Sequence, residues 1–406
     1  MSIINSLTDS SKWLEFLDYK ITKSNLSKQD EKSLTDFILN KEYYSIASAI
    51  VNGDYTFSFP KKSLVNKSGS TKKRVVYSYS YAENVILKFI LHQMFKYDDI
   101  FPSNLFSFRR SLTVKKAFYS LVKNKNVDNM YAYKLDISNY FNSINIDKLL
   151  PILKDILKDD DELFNLLKDI LTQDKAIFNG EVICEKRGAM AGTSFSTFLA
   201  NVYLMEMDKH FESEKVIYAR YSDDMIVFAP TLKEVNKHKK FMLNFLKQRE
   251  LKVNFEKEYL FSPNTTWNFL GFKYYQRKVD LSEVTVKKIK DKIRRKARSL
   301  FRWKNKTHAS DEHVMKVMLR VFNNKFYRKS NTKNLTWSKW FFPVITTHES
   351  LAVIDDYLVQ YLRYLKTGKF SKKNYETTYS TLKELGFRSL VNEFYKFKNE
   401  KTLSGH

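Results

Sequence analysis

Cysteine, glycine and proline are scarce in this sequence of 406 residues, which has one, nine and six of them respectively. A single cysteine, Cys184, excludes a disulfide framework and a cysteine-based zinc site within one chain. The seven histidines are scattered and show no metal-ligand spacing. Few glycines and prolines combined with 15% aromatic residues predict a well-packed chain, not a disordered one.

Long hydrophobic runs are also absent. No stretch approaches the roughly 18 apolar residues that a membrane span requires. The N-terminus, MSIINSLTDSSKWLEF, lacks the basic region and apolar core of a signal peptide. We therefore expect a cytoplasmic protein with no membrane partner, long enough for two to three domain-sized units.

Charge of one sign predominates. Lysine and arginine number 70 and aspartate and glutamate 45, a formal net charge of +25. Such a surplus favours a polyanionic partner, and nucleic acid is the usual one. A basic solvated surface and contact with an anionic membrane are the alternatives that charge alone leaves open.

The pattern along the chain predicts an α+β fold. Residues 56–80 look like a basic hairpin, and the apolar run from Tyr131 looks like a strand that ends in Asp136. The segment KVIYARYSDDMIVFAP reads as two short strands around a Ser-Asp-Asp turn. Helical patterns cover residues 147–172, 193–211, 232–250 and most of the chain after about 283, around what we expect to be a small sheet.

Three carboxylates stand at predicted strand ends in apolar surroundings: Asp136, Asp223 and Asp224. Converging carboxylates repel one another unless cations neutralise them. Two divalent ions about 3.5–4 Å apart would do so and would clamp both oxygens of an in-line phosphoryl transfer. Mg²⁺ suits such ligands, with Mn²⁺ as an alternative. An Asp-Asp pair in a turn is common, so the pair alone is weak evidence.

Five motifs in order resemble those of reverse transcriptases. KLDISNYFNSI is similar to the first palm motif of that family, and YSDD to its Tyr-x-Asp-Asp box. GAMAGTSFSTFLANVYL lies between them, and LKVNFEKEYL and the primer-grip-like WNFLGF follow. KKRVV at 72–76 and SFRRS at 107–111 resemble motifs of the fingers. The family is built as a right hand, so the resemblance implies fingers, palm and a helical thumb.

Domain boundaries follow from the positions of these motifs. We expect an N-terminal helical extension at 1–55, fingers at 56–127, and a palm at 128–262 with finger-side helices at about 147–180. A primer-grip hairpin would cover 263–282, and a basic helical thumb and C-terminal region 283–406. In that last region, residues 284–304 predict a helix with one apolar stripe and otherwise cationic faces, suited to a duplex backbone. Asp355 and Asp356 form a second Asp-Asp pair, which we expect on a helix surface.

The resemblance assigns catalytic roles to four residues and a metal contact to a fifth. Asp136 and Asp223 would ligate both metal ions, Asp224 would assist, and Ile137 would contribute to the metal and nucleotide sites. Lys257 would protonate the pyrophosphate leaving group as a general acid. A surface lysine is the ordinary alternative for Lys257.

Further residues match nucleotide- or nucleic-acid-binding positions of the family. Phe141 would be a steric gate that clashes with a 2′-hydroxyl and so selects dNTPs, although it could instead be a core phenylalanine. The remaining expected nucleotide contacts are Lys73, Arg74, Gly192 and Ser196. The expected nucleic-acid contacts are Arg109, Tyr221, Gly271, Lys288 and Arg295. Each of the cations could instead be a solvated surface charge.

The glycine motif departs from the common pattern of the family. Many reverse transcriptases have Gly-x-Pro-Gln-Gly where this chain has Gly188-Ala189-Met190-Ala191-Gly192. Together with the length and helical tail, this resembles the bacterial branch of unknown-group, abortive-infection and defence-associated enzymes, related to retron and group II intron enzymes. Such a relationship implies an RNA-directed DNA polymerase that copies a dedicated non-coding RNA in antiphage defence.

Other functions remain open at this stage. The chain could be a group II intron or retron reverse transcriptase, or could synthesise DNA without a template or from a protein primer. A non-catalytic RNA-binding protein with a relict palm is an alternative of a different class. The expected partners are an RNA template, the DNA product and dNTPs.

Overall fold

The computed structural model describes residues 2–24, 26–66, 73–110, 112–124, 126–186, 188–327 and 336–403. Two compact units make up the chain, residues 1–264 and residues 265–406. Helices predominate in both units. The first unit also contains two four-stranded sheets and the second unit one three-stranded sheet, which makes the fold α+β. No helix within the described ranges is long and apolar enough to span a membrane.

The first unit begins with helices that pack around a tryptophan. They are α1 Ser10–Lys23, α2 Lys28–Leu39, α3 Tyr44–Val51 and α4 Tyr81–Gln93. The side chains of Asp9, Ser27 and Ser80 cap α1, α2 and α4, because each accepts a hydrogen bond from a free backbone amide in the first turn of its helix. Trp13 is fully buried, and its ring stacks on those of Tyr43 and Phe89. This packing ties the N-terminal residues into the core of the first unit.

A four-stranded sheet follows, in the order β2-β1-β4-β5. Its strands are β1 Lys61–Asn66, β2 Lys73–Ser78, β4 Lys175–Phe178 and β5 Glu181–Cys184. Strands β1 and β2 form the predicted hairpin, whose tip, including Lys72, lies outside the described residues. Residues 175–178 are strand and not helix, because β4 pairs with β1 in parallel and with β5 in a hairpin. The expected run of finger-side helices to about 180 therefore ends at Thr172.

A second four-stranded sheet is fully antiparallel, in the order β6-β7-β3-β8. Its strands are β3 Tyr131–Asp136, β6 Tyr218–Tyr221, β7 Asp224–Ala229 and β8 Tyr259–Phe261. The apolar residues of β3 and β7 are buried, and helices pack on this sheet. The helices of this part of the unit are α5 Val114–Val122, α6 Tyr140–Ser143, α7 Ile146–Ile156, α8 Asp161–Thr172, α9 Ser196–Ser213 and α10 Leu232–Gln248. Short 3₁₀ helices occur in the first unit at Ile4–Thr8, Met94–Ile100, Val127–Asn129 and Phe255–Lys257, and in the second unit at Lys372–Glu376.

The second unit combines a small sheet with helices. Strands β9 Trp267–Phe269, β10 Phe272–Tyr275 and β11 Lys278–Leu281 pair in the order β11-β10-β9, so the expected primer-grip hairpin has a third strand. The helices are α11 Glu283–Thr307, α12 Asp311–Tyr327, α13 Trp337–Phe341, α14 Glu349–Thr367, α15 Tyr379–Glu384 and α16 Leu390–Leu403.

The expectation that both Asp355 and Asp356 lie on a helix surface is wrong for Asp355. That side chain is buried and accepts hydrogen bonds from Ser389 Oγ at 2.7 Å and from the backbone amides of Leu390 and Val391. It therefore caps the start of α16, where a negative charge is favourable. Asp356 is exposed, as expected.

Candidate active site

Strand pairing brings the three predicted carboxylates to one end of the antiparallel sheet. Asp136 ends β3 and stands directly opposite Asp224, which begins β7, while Asp223 lies in the turn between β6 and β7. The amide of Ile137 donates to the carbonyl of Asp223 at 3.2 Å, and Asn254 N donates to the carbonyl of Asp136 at 2.8 Å. Because the side chain of Ile137 is a buried hydrocarbon, only its backbone could contact a metal ion or a nucleotide.

Burial and mutual repulsion raise the pKa of two of these carboxyls. Burial, followed by the neighbouring charge of Asp136, raises the pKa of Asp223. The pKa of Asp224 rises to about 6, chiefly through burial, although the ammonium of Lys134 at 3.6 Å acts in the opposite direction. Atom Oδ1 of Asp224 is buried and accepts no hydrogen bond from the described residues. The surroundings of Asp223 and Asp224 thus disfavour their negative charge, chiefly because the two carboxyls are buried.

Lys257 lies at the same end of the sheet. Its Nζ is 2.7 Å from Oδ2 of Asp136, in an ion pair whose lysine side chain is 56% exposed. Burial opposes the charge on Lys257, but the hydrogen bond and the nearby carboxylates outweigh it and raise the pKa of the lysine. Among the described residues, no group of three or more His, Cys, Asp or Glu side chains is arranged to hold a metal ion. In this structure the carboxylate of Asp136 faces the ammonium group of Lys257.

Phe141 follows the carboxylate of Asp136 through a tight turn. Asn139 takes a positive φ of 49°, which reverses the chain after β3 and starts the short helix α6. The ring of Phe141 is half-buried and meets the rings of Phe108 and Tyr140 at centroid distances of 6.2 and 5.6 Å. The ring is thus partly accessible and packs against the edge of the core.

The glycine motif packs against the backbone beside this ring. Gly188 has a φ of +57°, and a Cβ on it would lie 2.7 Å from the carbonyl groups of Phe141 and Asn142. Gly192 has a φ of +104°, and a Cβ there would lie 2.9 Å from the carbonyl oxygen of Tyr77. Both positions therefore require glycine.

Asn142 joins three segments at this point. Its Nδ2 donates to the carbonyl of Val75 on β2 at 3.2 Å, and its Oδ1 accepts from the amide of Ala191 at 2.9 Å. The carbonyl of Ala191 in turn accepts from Tyr77 N at 2.8 Å. The β1–β2 hairpin, the glycine motif and the Phe141 helix are therefore hydrogen-bonded into one wall.

The two cations predicted on β2 are exposed. Lys73 and Arg74 lie at the start of the strand, and Arg74 is close enough to Asp223 to lower its pKa against the effect of burial. Ser196, by contrast, is buried, and its Oγ donates to the carbonyl of Thr193 at 2.8 Å. The structure thus leaves the β2 cations available to a ligand and uses the Ser196 hydroxyl internally.

Arg109 also has an internal role. Its Nε lies 3.3 Å from both oxygens of Asp98, and its other nitrogens donate to the carbonyls of Asp98, Pro102 and Leu105. These bonds hold the loop before the SFRRS motif, and the expected contact of Arg109 with nucleic acid stays a prediction. Tyr221 is half-buried beside the catalytic turn, and burial raises its pKa.

Three of the predicted nucleic-acid contacts belong to the second unit. Gly271 has a φ of +89°, and its carbonyl accepts from Ser282 N and Thr285 Oγ1 at 2.9 Å. Lys288 and Arg295 are exposed on α11. The buried residues of that helix are the apolar ones Ile289, Ile293, Ala297 and Leu300, so one stripe packs and the cationic faces are outward.

Sequence reasoning missed several residues at the site. Lys134 is two residues before Asp136 in β3, so both side chains are on the same face of the sheet. That alternation could have placed Lys134 beside Asp224, which pairs with Asp136. Asn142, Ser107 and Asn201 lie within the quoted motifs, and Asp208 and Arg220 lie close to them, but the motifs do not show what these residues bind. Their partners are 12, 67 or 94 positions away in the sequence. Only the tertiary structure reveals these contacts.

Comparisons with known proteins agree with the motifs. The family model described as "Reverse transcriptase (RNA-dependent DNA polymerase)" matches residues 59–274, more than half of the chain. The Retron Ec86 reverse transcriptase of Escherichia coli is 27% identical over 117 residues, which are 28% of this chain and 37% of that protein.

Solved structures of telomerases were also found. Apo telomerase from Candida tropicalis, truncated from its C-terminal domain, aligns with a TM-score of 0.45 and 17% identity over 56% of this chain and 55% of that one. Telomerase from Candida albicans with a fragment of telomeric RNA aligns with a TM-score of 0.44 and 12% identity over 89% of this chain and 70% of that one. The alignments thus span well under two thirds of both the retron enzyme and the first telomerase.

The extent of the family match, together with the position of the carboxylates in the palm-like sheet, confirms the predicted family and its right-hand polymerase fold. The chain belongs to the reverse transcriptase (RNA-dependent DNA polymerase) family.

Proposed function

We propose that this chain is an RNA-directed DNA polymerase that extends a primer with dNTPs. The observation that carries the proposal is the convergence of Asp136, Asp223 and Asp224 at one end of a sheet, with Asp136 and Asp224 in register. The reaction joins a 3′-hydroxyl to the α-phosphorus of a dNTP and releases pyrophosphate. The protein's task in such a transfer is positioning and charge stabilisation.

Divalent ions fit the donor set of this site. Asp136, Asp223 and Asp224, with the backbone of Ile137, would hold them. Oδ1 of Asp224 accepts no hydrogen bond from the described residues and lies 3.6 Å from Nζ of Lys134, so it could serve as a donor atom. When bound, Mg²⁺ or Mn²⁺ would neutralise these carboxylates and polarise the reacting phosphate. The ammonium of Lys257 now satisfies part of the charge of Asp136, and would be free to turn toward the leaving group once that charge is otherwise compensated.

The nucleotide would lie along the wall formed by β2, the glycine motif and Phe141. Arg74 and Lys73 are exposed at the start of β2 and would hold the triphosphate, the arginine through two parallel hydrogen bonds. Gly192 allows close approach of the backbone to the nucleotide. The partly accessible ring of Phe141 would lie under the sugar and exclude a 2′-hydroxyl.

Lys257 would serve as the general acid for pyrophosphate. The ion pair with Asp136 raises the pKa of Lys257, which keeps the lysine protonated but makes it a weaker acid. Once the charge of Asp136 is otherwise compensated, that pKa would fall and the ammonium could give its proton to the leaving oxygen. In the second unit, Lys288 and Arg295 on the cationic faces of α11 would contact phosphates of the template–primer duplex. Tyr221, at the end of β6, would lie under the primer terminus.

Primer extension on an RNA template tests the function. Asp223→Asn should lower the incorporation of dNTPs at least about a thousandfold, because a charge interaction worth several kcal/mol in the transition state is lost. Asp356→Asn is the matched control, since that carboxylate is exposed on α14, and should leave the rate unchanged. Equal DNA synthesis by wild type and Asp223→Asn would remove Asp223 from the active site. No synthesis by either protein under any primer condition would favour a non-catalytic RNA-binding protein.

The template would be a dedicated non-coding RNA, in a system that defends bacteria against phage. The altered glycine motif favours this specialised role, and the match to a retron enzyme favours a retron-like one. Sequencing the RNA and DNA that co-purify with the protein decides between them. A retron predicts DNA that copies an RNA encoded beside the gene, and a group II intron enzyme predicts bound intron RNA.

Priming can be tested in the same preparation. DNA that stays attached to the protein after denaturation and proteolysis to a peptide would show that a side chain supplies the first hydroxyl. DNA with no counterpart in the bound RNA would show synthesis without a template.

A further inference from the structure

The turn that carries Asp223 is held by a buried polar network that extends beyond the hairpin. Strands β6 and β7 are joined by only two residues, Ser222 and Asp223. Ser222 has a φ of +62°, at the first turn position, where hairpins of this length with a positive φ prefer glycine. A serine in this conformation is strained and persists only when its surroundings impose it.

Both backbone groups of Ser222 are bound by side chains, one from a distant segment and one from strand β6 of the same hairpin. Its amide donates to Ser107 Oγ at 2.9 Å, and its carbonyl accepts from a terminal nitrogen of Arg220 at 3.4 Å. Ser107 is separated from Ser222 by 115 residues and is fully buried. These contacts fix the orientation of the peptide groups on either side of Ser222, and with them the start of Asp223.

Ser107 and Arg220 are themselves held by Asn201 and Asp208 of helix α9. Ser107 Oγ donates to Asn201 Oδ1 at 3.1 Å, and Asn201 Nδ2 donates back to the carbonyl of Ser107 at 2.8 Å. Arg220 donates to the carbonyl of Asn201 at 3.0 Å and forms an ion pair with Asp208, in which both side chains are 0% exposed. Every member is thus held by at least two hydrogen bonds and is almost fully buried, and hydrogen bonds are strong in such surroundings.

The backbone pairing extends the network along β6. Arg220 N donates to the carbonyl of Asn104, and the carbonyl of Arg220 accepts from Phe106 N, each at 3.0 Å. The segment Asn104–Ser107 is therefore held beside β6 by an isolated parallel bridge between Leu105 and Arg220. It leads directly to Phe108, whose ring contacts that of Phe141, so one segment reaches both the catalytic turn and the proposed sugar gate.

We propose that Ser107, Asn201, Asp208 and Arg220 form a turn brace, a set of positioning residues that hold Ser222 in its strained conformation and so aim Asp223 and Asp224. The brace touches neither substrate nor metal, and acts through the turn. Its effect on catalysis rests on the proposed polymerase function, whereas its effect on the turn does not.

The experiment compares Ser107→Ala with Ser6→Ala, a control that removes a side-chain hydrogen bond to Ile3 at the far N-terminus. Single-nucleotide incorporation is measured with the active fraction titrated in a burst. Ser107→Ala should lower kcat per active site roughly 10- to 100-fold, since displacements of about 1 Å at a reacting centre have effects of this size. The KM for dNTP should change less than about twofold, because the nucleotide wall is intact.

Hydrogen exchange supplies a readout that does not depend on activity. The peptide that contains Ser222 should exchange faster in Ser107→Ala than in wild type and Ser6→Ala, because the amide of Ser222 loses its acceptor. A second variant, Arg220→Lys, keeps a charge beside Asp208 but lacks the nitrogen that reaches the carbonyl of Ser222, and should show the same loss of kcat.

Several results would overturn the brace. One is a kcat per active site that equals the Ser6→Ala value, even if the fraction of folded enzyme falls, because a purely structural role predicts that pattern. Another is unchanged exchange around Ser222. If the wild type makes no DNA, the polymerase proposal fails, and the exchange result alone then decides whether Ser107 holds the turn.

Discussion

Replacing Arg220 by methionine should destabilise the first unit by about 3–5 kcal/mol, because it leaves a fully buried carboxylate without its partner. Asp208 would retain only the hydrogen bond from Tyr218 Oη at 2.9 Å. The carbonyls of Asn201 and Ser222 would lose their donor as well. For a unit of this size, the change corresponds to a fall in the unfolding midpoint of roughly 6–20 °C.

The assay is hydrogen exchange in increasing urea, read separately from peptides of residues 1–264 and 265–406, so that each unit reports its own unfolding. Arg249→Met is the control, because its ion pair with Glu206 lies at the surface, where such pairs contribute about 1 kcal/mol or less. The double variant Arg220→Met with Asp208→Leu should cost less than the sum of the two single changes, since it leaves no buried charge behind.

The loss should also depend on pH with a defined sign. Burial raises the pKa of Asp208 and Arg220 opposes that rise, so removing the arginine raises the pKa further. The folded variant then binds a proton that the unfolded chain has released, and stability falls as pH rises above the unfolded pKa of about 3.9. Arg220→Met should therefore be more stable at pH 5 than at pH 8. An additive double variant, or a cost for Arg220→Met below about 1 kcal/mol, would refute the reasoning.

Three further predictions concern other parts of the molecule. Phe141→Ala should lower the preference for dNTPs over NTPs about 10- to 200-fold, measured as the ratio of kcat/KM values, and an unchanged ratio would place the sugar elsewhere. Burial lowers the pKa of His92 from 6.5 to about 4, so the unfolded chain takes up the proton at a higher pH than the folded protein. The free energy of unfolding should therefore drop by roughly 1–2 kcal/mol between pH 7 and pH 4, after allowance for the partial exposure of the ring. His92→Phe should flatten that dependence in urea titrations at several pH values, and an equal slope in both proteins would show that other groups cause it. Arg295→Gln should reduce the slope of log affinity for a template–primer duplex against log salt by about one, whereas Lys32→Gln on α2 should leave it unchanged, and equal slopes for all three proteins would remove α11 from the interface.

Local patterns in the sequence accounted for much of the fold. The apolar run from Tyr131 and the β-rich arms around Ser-Asp-Asp predicted strands β3, β6 and β7, because alternation and turn residues act between near neighbours. The stripe of Ile289, Ile293 and Ala297 likewise predicted which face of α11 is buried. The assigned roles of the individual site residues stay predictions until they are tested.

Where local patterns misled, a long-range contact was the cause. Asp355 lies in a helical pattern and was expected on the helix surface, yet its carboxylate caps the start of α16, where it binds Ser389, 34 residues later in the chain. Residues 175–178 follow a helical stretch and were expected to continue it, yet they form a strand because they pair with β1. The sequence likewise does not show that Asp98 and three carbonyls bind Arg109, whose contact with nucleic acid stays a prediction.

The sequence by itself determined the family, the identity of the three carboxylates and their position at strand ends, because ordered motifs and strand periodicity are local properties of the chain. The tertiary structure decided what surrounds those carboxylates. It placed Lys257 on Asp136, Lys134 beside Asp224, and Ser107 and Arg220 on the two sides of Ser222. Such contacts depend on how the strands and helices pack, and a buried hydrogen bond between residues 115 positions apart has no signature in either local segment.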